Sequence, residues 1–123
     1  MHRKKLKTVL VVDDDPSILR LIKEQLSDYE YLPIMASSGE EALEIASQKT
    51  HIDLLLTDVK MPGINGIDLV RQFSTLYPET SVLFMSVFTL PTTLYSIAGK
   101  EMVILQKPFR AETLIKKMET VLN

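Results

Sequence analysis

Four apolar runs in this 123-residue chain each stop at a polar side chain that could do chemistry. Thr8–Val12 runs into Asp13, Asp14 and Asp15, and Ile52–Thr57 runs into Asp58. Ser81–Ser86 closes on Ser86, and Met102–Leu105 is followed by Lys107. Neighbouring carboxylates repel by about 4 kcal/mol per pair at ~4 Å and an effective dielectric near 20. Such a cluster calls for a cation, basic partners or water. Carboxylates converging on one crevice make a hard oxygen site that suits Mg²⁺, with Mn²⁺ as the alternative. A lysine adds a point charge for an anion, and a serine hydroxyl adds a donor. These are the parts of a phosphoryl-transfer site. A carboxylate such as Asp58 can serve there as the nucleophile, giving an aspartyl phosphate.

The elements between these residues decide whether they meet. Thr8–Val12 is β-branched and aliphatic throughout, the pattern of a strand buried on both faces. Asp15-Pro16 reads as a helix start, with Asp at the cap and Pro at the first turn. Ile18, Leu19, Ile22 and Leu26 follow at helical spacing. Tyr31–Ala36 is a second strand, placed near an edge by Pro33. Ser38 with Glu41 forms a capping box ahead of Ala42, Leu43, Ile45 and Ala46. The third strand, Ile52–Thr57, leads into the turn residues 61–66, where Gly63 and Gly66 suit positive φ, and then a helix carrying Ile67, Leu69, Val70 and Phe73. Ser81–Ser86 is the fourth strand, residues 91–98 a short helix, and Met102–Leu105 the fifth strand. Leu114, Ile115, Met118, Val121 and Leu122 form the clearest amphipathic stripe. Five alternations of strand and helix predict an α/β fold, a (βα)5 three-layer sandwich around a parallel five-stranded sheet. In such sheets ligands bind beyond the carboxyl ends of the strands, where Asp13, Asp14, Asp58, Ser86 and Lys107 are all expected.

The length fits one domain, here a basic tail over residues 1–7 followed by a folded body over 8–123. The absence of cysteine excludes disulfides, thiolate metal sites and a Cys nucleophile. Four of the 14 basic residues fall at positions 3–7, which leaves ten basic against 16 acidic groups and a body charge of −6. An acidic body argues against nucleic-acid binding by this domain. The apolar runs are far shorter than the ~20 residues that cross a bilayer, and no signal-peptide core follows the basic start. A cytoplasmic protein that does not engage membrane is the expectation. His2 and His51 are expected at the surface, Asp53 and Asp68 as loop and helix-start acids, and the methionines as core filler.

The segments "VLVVDDDPSILRLI", "DLLLTDVKMPGINGIDLV", "VLFMS" and "ILQKPF" in this order resemble the receiver domain of two-component response regulators, over essentially the whole chain. The resemblance implies a flavodoxin-like fold and a switch that takes a phosphoryl group from a sensor histidine kinase or a histidine phosphotransfer domain. It implies no metabolite turnover, only phosphorylation and dephosphorylation of the domain itself. Asp58 matches the phosphoacceptor. Asp14 matches a direct metal ligand, Asp13 an acid acting largely through water, and the Lys60 backbone carbonyl the third protein ligand. Ser86 matches the hydroxyl that binds the phosphoryl group and Lys107 the lysine that pairs with it, its bond to Pro108 expected to be cis. Self-association through the last strand and helices is a further expectation.

Three features depart from the family pattern, two single positions and one segment. Ile104 stands where many receivers carry Tyr or Phe. Val87 stands where a small residue is common, and with Phe88 it is expected to slow loading or hydrolysis. Residues 88–102 lack the Ala-rich pattern usual before the last strand. These departures leave a rival reading, a degenerate receiver used as a phosphorylation-independent binding module. "DDDPS" also reads as D-x-D-x-S, the nucleophile and acid–base pair of haloacid-dehalogenase phosphatases, but that class leaves the segment around Asp58 unexplained. A flavin site is disfavoured because no glycine- and hydroxyl-rich phosphate loop follows the first strand.

Overall fold

The computed structural model describes residues 5–48, 51–87, 95–97 and 100–122. Its elements are β1 (Thr8–Val12), α1 (Pro16–Asp28), β2 (Leu32–Ala36), α2 (Gly39–Gln48), β3 (Leu54–Asp58), α3 (Gly66–Leu76), β4 (Ser81–Ser86), β5 (Tyr95–Ile97), β6 (Lys100–Gln106) and α4 (Ala111–Leu122). The strands form one sheet in the order β2-β1-β3-β4-β6-β5. Five of them are mutually parallel, and β5 pairs antiparallel to β6 with Tyr95 opposite Met102.

The alternation of side chains along each strand divides the core between two faces. Leu10, Val12, Leu55, Val82, Phe84 and Met102 point toward α2 and α3, where they meet Ala42, Ala46, Leu69, Val70 and Phe73. Val9, Val11, Leu54, Leu56, Leu83, Met85 and Leu105 point the other way, onto Ile22 and Leu26 of α1 and Leu114, Ile115 and Met118 of α4. Both faces are covered, which is why the central strands read as unbroken apolar runs rather than alternating ones. Tyr77 extends the first face: its ring stacks on Phe73 at 4.8 Å and its hydroxyl donates to the Ala46 carbonyl at 2.6 Å.

The helix starts follow the local chemistry. Asp15 caps α1 by accepting the Ser17 N–H and hydroxyl at 2.9 and 2.7 Å, with Pro16 in the first turn. Ser38 caps α2 through the Glu41 N–H at 3.0 Å, while the Glu41 carboxylate reaches back to the Ser37 N–H at 2.6 Å. Asn65 caps α3 through the Asp68 N–H at 2.9 Å. Pro33 does lie on an edge strand, β2.

One expected element is corrected. Residues 95–97 are a strand, not part of a helix over 91–98; the remainder of that span, apart from 95–97, lies outside the described residues. The sequence of the strand is "YSI", and Tyr and Ile favour a strand over a helix once β6 offers an edge to pair with. Four helices therefore accompany the five parallel strands among the described residues.

Candidate functional site

β1 lies between β2 and β3, so the chain turns to opposite sides of β1 at the carboxyl ends of these strands. The crevice of an open α/β sheet opens at such a switch point. Asp13 follows β1, Asp58 ends β3, Ser86 ends β4 and Lys107 follows β6, so four distant stretches of sequence converge there.

The carboxylates of Asp13, Asp14 and Asp58 have oxygens all within 4.8 Å of one another. Asp13 is buried, Asp58 half-buried and Asp14 exposed, so the cluster runs from the interior to the surface. Lys107 reaches into it from the opposite side. Its Nζ donates to Asp13 Oδ2 at 2.5 Å and to Asp58 Oδ2 at 3.2 Å. The side chains of Lys107 and Asp13 are only 9% and 1% exposed, so this ion pair is shielded from water. The other Asp13 oxygen accepts the Asp15 N–H at 2.9 Å, and the Asp13 N–H donates to the Ala36 carbonyl at 3.2 Å. Lys107 is fixed from behind by its N–H, which donates to the Ser86 carbonyl at 2.7 Å. Its peptide bond to Pro108 is cis, as expected. Ser86 itself is buried, one residue beyond the Met85 that pairs with Asp58.

Charge and burial act on these groups in opposition. Burial pushes the Asp58 carboxyl above the usual carboxylate range; the Lys107 charge works against this, the Asp13 charge adds to it, and the Lys60 backbone N–H bonds to the ionised form. For Lys107, burial alone would lower its pKa. The hydrogen bond and charge of Asp13, and then Asp58, override it and hold the ammonium above the ordinary lysine value.

The donor chemistry fits a hard divalent cation. Three clustered carboxylates and one ammonium leave a local excess of negative charge, and every donor of the trio is oxygen. Asp15 stands apart from the trio; its carboxylate is spent on capping α1, and the Ser17 hydroxyl and N–H hold its pKa below the usual value.

The structure brings Asp13, Asp14, Asp58, Ser86 and Lys107 to the same end of the sheet, and Lys60 to the loop just beyond Asp58. The side chain of Val87 is 61% exposed and lines a mostly apolar hollow of about 280 Å³ with Ile18, Leu21, Pro108 and Phe109 beside Lys107. Phe88 lies outside the described residues. Ile104 is half-buried against the core on the α2–α3 face. His51 and Asp53 pair at 2.8 Å at the opposite end of the sheet, where Asp53 also accepts the Thr8 N–H at 2.8 Å. His2 is outside the described residues.

Sequence reasoning missed how α2 meets the loop after Asp58. Gly39 is packed against Ile64 so closely that an added Cβ would stand 2.9 Å from the Ile64 Cβ. Gly63 has φ +74°, as its sequence context suggests. Gly66 does not share that conformation; its place is set by close approach, since a Cβ there would lie 2.1 Å from the Asp58 carbonyl oxygen.

Comparison with known proteins decides the family. The family model described as "Response regulator receiver domain" matches residues 9–119. The chain belongs to this family. Among curated relatives, it is 38% identical over 108 residues to the two-component response regulator ARR14 of Arabidopsis thaliana, covering 86% of this chain but 28% of that protein. The chain thus spans under a third of ARR14. Among solved structures, the chemotaxis protein CheY4 of Vibrio cholerae superposes with a TM-score of 0.87 at 32% identity, covering 96% of this chain and all of that one. The receiver domain of the hybrid histidine kinase CckA gives a TM-score of 0.80 at 30% identity, with 94% and 99% covered. The receiver fold is a flavodoxin-like sandwich that serves as a signalling switch, and receiver domains partner with histidine kinases. Among the described residues, no helix is long and apolar enough to cross a membrane.

Proposed function

We propose that this receiver domain accepts a phosphoryl group on Asp58 from a phosphohistidine of a sensor histidine kinase or histidine phosphotransfer domain, and changes its partner contacts as a result. The observation that carries this reading is the Lys107 ammonium held between buried Asp13 and half-buried Asp58, beside the exposed Asp14. In the transfer, an Asp58 carboxylate oxygen attacks phosphorus, the N–P bond of the donor breaks, and the released imidazole nitrogen takes up a proton. Burial raises the Asp58 pKa, and the adjacent Lys107 charge counters that rise in favour of the ionised carboxylate that attack requires. Lys107 and the Ser86 hydroxyl then pair with the new phosphoryl oxygens, which bring added negative charge and strong acceptors to the crevice.

Asp14, Asp58 and the Lys60 carbonyl would hold Mg²⁺, or Mn²⁺ in its place, with Asp13 acting through water. Direct ligation by Asp14 rather than Asp13 agrees with their surroundings: Asp13 is occupied by Lys107 and the Asp15 N–H, whereas Asp14 is open to solvent. When bound, the cation supplies positive charge to the phosphoryl oxygens. Self-association through β6 and α4 is part of the same proposal.

The test is intact mass after incubation with acetyl phosphate and Mg²⁺, beside Asp58→Asn and a metal-free control. The expected result is one added phosphoryl group, absent in both controls. No gain, with acetyl phosphate or with a phosphohistidine donor, would sink the reading in favour of the binding-module alternative. Replacing Val87 by Ala in the same assay tests the expected shielding; an unchanged loading rate and phosphoryl lifetime would reject it.

A further inference from the structure

The loop between β3 and α3, residues 59–65, carries the Lys60 carbonyl. It is closed at its base: the Val59 N–H donates to the Met85 carbonyl at 3.0 Å, and the Gly66 N–H to the Val59 carbonyl at 2.9 Å. Its far side rests on the start of α2. A Cβ on Gly39 would lie 2.9 Å from Ile64 Cβ and 3.0 Å from the Ile64 carbonyl oxygen, so backbone and not a flexible tip would have to move. The next residue, Glu40, lays its carboxylate over the open face of Gly63, where a Cβ would meet its two oxygens at 2.6 and 3.2 Å. α2 is itself anchored through the Ser38 cap, and the strand before it, β2, accepts the Asp13 N–H through Ala36. A continuous set of short contacts therefore links Asp13, on one side of the crevice, to the loop of Lys60 on the other.

We propose that Gly39 and Glu40 are positioning residues for the Lys60 carbonyl, setting the cation affinity of the site without touching the cation. The inference rests on the reading that the Asp13, Asp14 and Asp58 cluster holds Mg²⁺ with this carbonyl. Mg²⁺ requires near-ideal octahedral geometry at 2.0–2.1 Å. A carbonyl shifted by a few tenths of an ångström is a poorer ligand, although every ligand remains present.

Calorimetric titration of the full chain with Mg²⁺ tests this, with acetyl phosphate kinetics as a second readout. Gly39→Ala is expected to weaken Mg²⁺ binding on the order of 10-fold, the loss typical of outer-shell changes at metal sites. The phosphorylation rate is expected to recover at saturating Mg²⁺. A merely structural role would instead lower the thermal midpoint and leave the dissociation constant alone. Should Gly39→Ala not fold, exposed Glu40 decides: Glu40→Ala is expected to weaken binding also on the order of 10-fold, and Glu40→Gln, which keeps the contact, to leave it near the parent value. Parent-like affinity in Gly39→Ala, or in Glu40→Ala where the first does not fold, overturns the proposal and leaves the cation reading standing. A parent chain that binds no Mg²⁺ overturns both, and that result is read before any variant.

Discussion

Lys107→Met would leave Asp13 buried at 1% exposure without its counter-charge. Lys107 contacts Asp13 at 2.5 Å and Asp58 at 3.2 Å. Coulomb's law at an effective dielectric of 20 puts these attractions at about 7 and 5 kcal/mol before desolvation is charged against them. Desolvation of all three groups cancels most of that. What the substitution measures is the cost of a buried charge left unpaired, about 3–5 kcal/mol. The lower end is expected, because Asp58 is partly open to water and its pKa is already raised, so the pair can relieve its repulsion by taking up a proton. Urea unfolding followed by circular dichroism, without divalent cations and at constant salt, is therefore expected to show a loss of about 3 kcal/mol, a fall in midpoint of roughly 1–2 M. The double variant Lys107→Met with Asp13→Asn is expected to recover part of it, with a coupling of about 1.5 kcal/mol or more. A single-variant loss below ~1 kcal/mol, the size of a solvated surface pair, would refute the argument that this pair is shielded.

Other sites give independent tests. Phe73→Ala removes a fully buried ring under the sheet and is expected to cost about 3–5 kcal/mol in the same urea assay. Tyr77→Phe deletes the hydroxyl that donates to the Ala46 carbonyl and is expected to cost about 1 kcal/mol, with the far-ultraviolet spectrum unchanged. Asp15→Ala removes the α1 cap and is expected to lower the thermal midpoint most at neutral pH. Because folding lowers the Asp15 pKa below 3.8, its stabilising charge is complete above that value and lost as pH falls through the folded one. The gap between parent and variant should therefore narrow below pH 3.8.

Much of the fold could be read from local pattern. β1, β3 and β4 are apolar on both faces because helices cover both, and a buried parallel strand has no polar side to show. Asp15-Pro16 and Ser38–Glu41 marked helix starts because a cap is satisfied within four residues. The span 91–98 failed for the same reason in reverse. Its intrinsic preference is weak, and the strand at 95–97 owes its place to an antiparallel partner in β6.

The sequence by itself determined most of the alternation of strands and helices, the caps, and the placing of an acid, a hydroxyl or a lysine at the ends of four strands, β1, β3, β4 and β6. These depend on near neighbours and on periodicity. Only the tertiary structure decided which carboxylate lies buried against Lys107 and which faces solvent, for Asp13 and Asp14 are the same residue type one position apart. It alone set Gly39 against Ile64, 25 residues away, and Glu40 against Gly63. Such contacts arise from the order in which strands join the sheet. Strand order follows from the packing of both faces at once and leaves no local trace in the chain.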